Sequence, residues 1–268
     1  MAKSTSVRSS GVAVSLVTLS AGLVSLFLLA PILAIIPLSF NSSADLRYPI
    51  ESITLDWYHT VLRPDPWLAA LKNSIAIAVP VSLLATLFGT SAAYGLYQLR
   101  SKRAALLLTG VFLAPLIVPT VITALALYFF MAKIGLLGSY WAMVLGHTIL
   151  SVPFVVLMVS VSLRRLDPQL IRAGLSLGGS PSTVGRTIVL PLILPGVLSG
   201  AILAFVQSFD EVVVAVFLAG PQQFTLPRQL LSSLQYRLDP SIVAISTLLI
   251  LATTFLFGFA DWLRSRQR

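Results

Sequence analysis

The chain's 268 residues are 57% hydrophobic and only 10% charged, with a mean hydropathy of +0.94. A soluble domain carries about a quarter charged residues, so this chain cannot cover a water-facing surface and must be solvated largely by hydrocarbon. Its net charge of +9 lies in short basic clusters between long apolar runs, which argues against the continuous basic face of a nucleic-acid binder, and the absence of cysteine excludes disulfides and thiol chemistry.

Runs free of charged residues extend over 9–44, 73–99, 104–132, 134–163, 187–209 and 240–260. Each is long enough for the roughly 20 apolar residues that cross a bilayer. They predict an all-α integral membrane protein with six transmembrane helices near 12–40, 73–97, 104–132, 139–163, 195–219 and 241–262. The first run follows Lys3 and Arg8 but far exceeds the roughly 7–15-residue apolar region of a signal peptide, so it reads as an uncleaved first helix. The connection 41–72 carries Pro49, Pro64, Pro66, Trp57 and Trp67, and its mixed polarity predicts a partly ordered cap at the membrane interface. In the third span Pro115 and Pro119 predict a kink. In the fourth, His147 lacks a second histidine or carboxylate at ligand spacing and reads as a hydrogen-bonded packing residue. Neither a metal site nor a catalytic constellation is expected.

Orientation follows from the basic residues, which accumulate in cytoplasmic loops. Lys3 and Arg8, then Arg100, Lys102 and Arg103, then Arg164, Arg165, Arg172 and Arg186, then Arg264, Arg266 and Arg268 share one side; these are 12 of the 18 Lys and Arg residues. The opposite side holds Arg47, Arg63, Lys72, Lys133, Arg228 and Arg237 with seven of the nine acids. Both termini are therefore expected in the cytoplasm, with tails at 1–10 and 264–268 flanking one membrane domain over 11–263.

The connection between the fourth and fifth spans, 164–191, is too long for a turn. Asp167-Pro168 starts a helix well, since Asp accepts from free amides and proline suits the first turn. The helix should run to Leu177 and end in a left-handed turn at Gly178-Gly179, with Ser180-Pro181 capping a second short helix towards Ile188. This segment resembles the EAA loop of ABC importer permeases: a Glu-Ala-Ala, a glycine a few residues on, and Ile-x-Leu-Pro ending thirteen residues after that glycine. Here these are Arg172-Ala173-Gly174, Gly178 and Ile188-Val189-Leu190-Pro191, with Arg172 in place of the glutamate and Gly174 in place of the second alanine. The resemblance implies a cytoplasmic coupling helix that docks on a separate ATPase, with Arg172, Ala173, Gly174, Gly178, Pro181 and Pro191 as its coupling positions.

The fifth span holds two acids. A start near residue 195 puts Asp210 about 15 residues in, roughly 22 Å along the axis and in the outer third of a core of about 30 Å. Acids there cost roughly 2.5–3.5 kcal/mol against lipid, so they should face water or a partner. Gly196, Ser199, Gly200, Gln207, Asp210 and Glu211 recur at three- and four-residue steps, a stripe that can line a pathway or serve close helix packing. Two carboxylates beside Phe209 suit a cation, and Tyr128 in the third span offers an aromatic wall or an interfacial anchor.

The resemblance covers about 70–262. Asn73-Ser74 with Gly89 and Ala92-Ala93-Tyr94 look like the start of the family's common core. Ser208-Phe209-Asp210-Glu211-Val212-Val213-Val214, Gly220-Pro221 and Leu226-Pro227 are similar to the spermidine/putrescine permeases and to relatives proposed to carry opines or other small cations. It implies a non-enzymatic, multi-pass subunit of the bacterial inner membrane that binds no cofactor itself. Its implied partners are a second permease subunit, which polyamine-type systems favour as a different chain, two ATPases that bind ATP and Mg, and a periplasmic binding protein. The residues alone leave a self-contained secondary transporter or channel as the other class; the chain lacks any Gly-Lys pair and hence a phosphate-binding loop of its own.

Overall fold

A computed structural model describes residues 11–43, 46–50, 52–63, 66–236 and 240–265. The expected N-terminal tail with Lys3 and Arg8, the residues Arg266 and Arg268, and Arg237 lie outside them. Among the described residues the chain is helical, with one isolated bridge between Asn41 and Ile53. In order the helices are α1 (Gly11–Leu38), α2 (Asp56–Leu62), α3 (Pro66–Gln98), α4 (Lys102–Ile117), α5 (Thr120–Lys133) and α6 (Tyr140–Arg164). There follow α7 (Pro168–Ser176), α8 (Pro181–Val184), α9 (Leu190–Asp210), α10 (Val213–Leu218), α11 (Leu226–Tyr236) and α12 (Ser241–Ser265). They fall into two compact units, one from the described parts of 1–65 and 233–268, the other over 66–232.

In the first unit α12 packs against α1 and α2. Helix α1 is apolar all round and exposed, as at Leu16, Leu23 and Phe27, a pattern that requires a nonpolar surrounding. Two of its hydroxyls are returned to its own backbone: Thr18 donates to Val14 O and Ser20 to Val17 O, each at 2.9 Å. The described residues of the connection after α1 are tied together by side-chain contacts. The Trp57 indole donates to Asn41 O at 2.8 Å, the Ser39 and Tyr58 hydroxyls pair at 2.6 Å, and the Phe40 and Tyr58 rings lie 5.3 Å apart. Its C-terminal part, however, belongs to α3, which starts at Pro66 rather than near 73.

In the second unit α6 is the central helix, held between α3 and α9. Helices α3 and α6 run parallel, with the Tyr140 hydroxyl on Asn73 Oδ1 at their starts and Gly89 against Val155 further along. Helix α9 runs antiparallel to both: Ser208 meets His147, Gly196 meets Ser162, and the Ser82 hydroxyl donates to Ala201 O at 2.8 Å. Lipid tails provide no hydrophobic drive between helices, so contact area must come from close approach of small residues. A Cβ at Gly89 would sit 2.6 Å from Val155 Cβ, and one at Gly196 2.1 Å from Ser162 Oγ. Gly196 and Gly200 therefore belong to the packing face against α6, with Ala204 and Ser208 buried on the same side.

Among the described residues four helical stretches are long and apolar enough to cross a membrane: Leu16–Leu38, Pro66–Gln98, Tyr140–Arg164 and Pro181–Asp210. The third expected span is a broken pair, not a kinked helix: α4 and α5 meet at 98° and together make a fifth candidate. The break falls where Val118 takes an extended conformation (φ −71°, ψ 131°) before Pro119, as steric conflict with a following proline favours. The expected sixth span corresponds to α12, whose apolar stretch among the described residues, Ser241–Phe255, is shorter.

The fifth span departs from expectation at both ends. Pro195 sits inside the helix, and α9 begins at Leu190, continuous with α8 through a π-helical turn over Gly185–Val189. Pro191 has no amide to give, and Leu190 N bonds back to Gly185 O, so the wide turn accommodates the proline. At the other end α9 stops at Asp210 instead of continuing to 219. Asp210 is thus about 30 Å along the axis from Leu190, at the end of the helix rather than within it.

Candidate functional site

The stop in α9 is made by Glu211. Its backbone turns extended (φ −73°, ψ 110°), and its carboxylate swings onto the next helix. Oε1 accepts from the amides of Val213 at 2.8 Å and Val214 at 3.1 Å, satisfying donors that the start of α10 leaves free. Oε2 accepts from Gln207 Nε2 at 3.2 Å across the last turn of α9. Glu211 is buried, 8% exposed, whereas Asp210 points to an exposed surface. Adjacent in sequence, the two acids occupy different environments.

The turn that carries Asp210 is fixed from behind. His147 is fully buried in α6, and its Nδ1 lies 3.0 Å from Ser208 Oγ and 3.2 Å from Ser208 O. The bonded packing role expected of His147 has Ser208 as its partner, a residue 61 positions away. Phe209 stacks on Phe205 with centroids 5.9 Å apart. Tyr128 lies on α5, half open, with an edge contact to Phe129 at 5.5 Å. The structure therefore joins Gln207 with Glu211, stands Asp210 apart on the open side, and leaves Tyr128 on a separate helix. Buried Val214, Ala215 and Leu218 seat α10 against α5 and α6.

The segment 164–191 has the local form read from its sequence. Asp167 accepts from the Gln169 amide at 2.9 Å to start α7, Gly178 closes it with φ +83°, and Ser180 Oγ accepts from the Thr183 amide at 3.1 Å to start α8. Arg172, Ala173 and Pro181 are exposed, as are Leu170 and Leu177, and Leu177 is 89% exposed. Gly174 faces inward onto Ile188 and Val184, so α7 is held against the π-turn by the side opposite its open face. Beside this segment an open cleft of about 270 Å³ is lined by Thr90, Ser91 and Tyr94 of α3 with Ser182, Arg186 and Ile193.

At the other end of the unit lies an arrangement that sequence reasoning noted only as Asn73-Ser74. Asn73 Nδ2 donates to Gln222 O at 2.9 Å and Phe224 O at 3.0 Å while its Oδ1 accepts from Tyr140. Ser74 Oγ accepts from the Leu226 amide at 2.8 Å. Arg228 donates to Ala219 O at 2.6 Å and lies 3.9 Å from the Phe224 ring centroid; its partial burial lowers its pKa from the ordinary arginine value. The starts of α3 and α6 thereby pin the segment that links α10 to α11. Only the pairing of two hydrogen-bonding residues at the head of an apolar run hinted at this.

Comparison with known proteins gives a consistent result. The family described as "Binding-protein-dependent transport system inner membrane component" matches residues 85–268. The chain is 32% identical over 226 residues to the spermidine/putrescine transport system permease protein PotC of Escherichia coli (strain K12), covering 84% of each chain. It is 35% identical over 245 residues to the putrescine transport system permease protein PotI of the same strain, covering 88% of this chain and 85% of that one. In fold it is similar to a chain of a bacterial ABC transporter that imports the acidic polysaccharide alginate, at a TM-score of 0.75 and 16% identity over 97% of this chain and 99% of that one. An apolar, helical chain with these relatives belongs to the family of inner membrane components of binding-protein-dependent transport systems: it is a permease subunit of an ABC importer and not an enzyme.

Proposed function

We propose that this permease subunit passes a small organic cation of the polyamine type, and that Asp210 is the charged residue the cargo meets. The observation that carries the reading is the exposed Asp210 at the end of α9, where the backbone turns extended at Glu211. A helix C-terminus that carries a carboxylate favours positive charge, and Phe209 and Gln207 of the same turn add an aromatic face and an amide. Tyr128 is the candidate for an opposing wall. The cargo named for PotC and PotI supports the same choice.

In this reading the chain crosses the membrane six times with both termini in the cytoplasm, as one permease domain over 11–263. Seven basic residues support that side: Arg100, Lys102, Arg103, Arg164, Arg165, Arg172 and Arg186 all sit at one end of the 66–232 unit, at the end of α3, the start of α4, the end of α6 and the α7–α8 segment. The open face of α7, with Arg172 and Ala173, docks on an ATPase. Gly174, Gly178, Pro181 and Pro191 shape the segment behind it. Two ATPases, which hold ATP and Mg, drive alternating access; a second permease, a different chain, completes the path; a periplasmic binding protein delivers the cargo.

The test is uptake by the whole complex, with its binding protein, in proteoliposomes. Asp210→Asn keeps the shape and removes the charge. KM for putrescine should rise about tenfold, the equivalent of about 1.4 kcal/mol, and rise less for a monoamine of the same length. Equal KM values for both cations before and after the substitution would remove Asp210 from the path.

A further inference from the structure

We infer that the two acids at the break divide the work: Glu211 is a positioning residue that holds the α9–α10 corner, and Asp210 alone is presented to the cargo. The part assigned to Asp210 rests on the cationic reading above; the part assigned to Glu211 does not.

An ionised carboxylate is an acceptor with about four lone-pair positions. Three hydrogen bonds reach Glu211, two from backbone amides and one from Gln207, and the residue is 8% exposed. A cargo ammonium would have to compete with donors held in place by the fold. Asp210 is exposed and free of such bonds among the described residues, so its lone pairs are open.

The corner itself explains why Glu211 is needed. Val213 and Val214 start a new helix outside the α9 hydrogen-bond ladder, and in an apolar surrounding an unpaired amide costs several kcal/mol. The carboxylate satisfies both amides, while its second oxygen ties the corner back to α9 through Gln207. His147 does the same for the α9 side by holding Ser208 at 3.0 Å. Between the Ser208 anchor and the Glu211 anchor lie two residues, Phe209 and Asp210. With both sides fixed, the Asp210 direction is set by the backbone and not by its own contacts.

This assignment separates charge from hydrogen bonding. A glutamine at 211 keeps an oxygen for the Val213 and Val214 amides, and its NH2 can face Gln207 if that side-chain amide flips to present its oxygen. An alanine leaves all three donors unpaired. In the proteoliposome assay, with putrescine as probe, Glu211→Gln should keep KM and maximal rate within about twofold of the parent. Glu211→Ala should lower the maximal rate about tenfold or prevent assembly, with KM unchanged in whatever complex forms. Rescue by glutamine but not alanine is the signature of positioning. A Glu211→Gln variant whose KM rises as far as that of Asp210→Asn makes Glu211 a cargo ligand and overturns the inference, and so does an alanine variant that transports normally. If Asp210→Asn leaves KM unchanged while the two Glu211 variants behave as stated, the cationic reading fails and the positioning role stands.

Discussion

Gly178 is the residue of the α7–α8 segment whose backbone a side chain cannot share cheaply. Its φ of +83° lies in the left-handed region, and no heavy atom stands within 4 Å of where a Cβ would go. The penalty for a side chain is therefore conformational: about 1–2 kcal/mol for an ordinary residue and more for a β-branched one. Gly178→Val should redirect α7 without touching the helices in lipid. The expected result is a complex that assembles with its ATPase and hydrolyses ATP but imports several-fold less cargo per ATP; normal coupling in an assembled complex would remove α7 from the transmission role. Gly174 presents the opposite case. A Cβ there would meet Ile188 Cδ1 at 2.7 Å and Val184 Cγ2 at 3.0 Å, a methyl tip that can rotate aside and another that must yield a little. Gly174→Ala should leave uptake within about twofold, because a small overlap with side-chain tips costs far less than a forbidden backbone.

Hydrogen bonds made far along the chain decide how the elements meet. Asn73 binds carbonyls 149 and 151 residues away, so one side chain at the head of α3 holds the link between α10 and α11. Asn73→Ala removes two donors and strands the Tyr140 hydroxyl, which should cost about 2–3 kcal/mol and lower the thermal midpoint of the complex in detergent by several degrees. Ser91→Ala is the matched control: that hydroxyl is exposed and donates to Leu87 O within its own helix. Equal midpoints for both variants would show that the clamp contributes nothing. The α4–α5 break teaches the same lesson from the sequence side. Pro119 marks where the third span must bend, but it shows neither the angle of 98° nor that α5 packs against α10 beyond the break.

For the molecule as a whole, orientation is the property on which the coupling and cargo assignments jointly depend. The chain contains no cysteine, so single cysteines can report on either end without a background. Gln169, exposed at the start of α7, and Gln222, exposed beside Pro221, lie at opposite ends of the 66–232 unit. In cells with a permeabilised outer membrane, an impermeant maleimide should label Gln222→Cys directly and Gln169→Cys only after the inner membrane is opened. The reverse pattern would place α7 outside and make docking on a cytoplasmic ATPase impossible.

The sequence by itself determined the membrane class, most of the spans and the helix, glycine turn and helix of 164–191, because charge-free length, caps and a left-handed glycine are local properties. It also singled out Asp210 and Glu211 as candidates, since acids stand out in an apolar run. Tertiary structure decided which acid is open and which is spent on the fold. A helix continues or stops according to the partners its end groups find, and no window of residues shows that Glu211 will turn onto Val213 and Val214 while His147 anchors Ser208. The same reason explains the misplaced fifth span: the apolar run resumes at Val212 after the two acids, and no local signal shows that the helix breaks between them, whereas the hydrogen bonds that make the corner come from the next helix, from Gln207 and from α6.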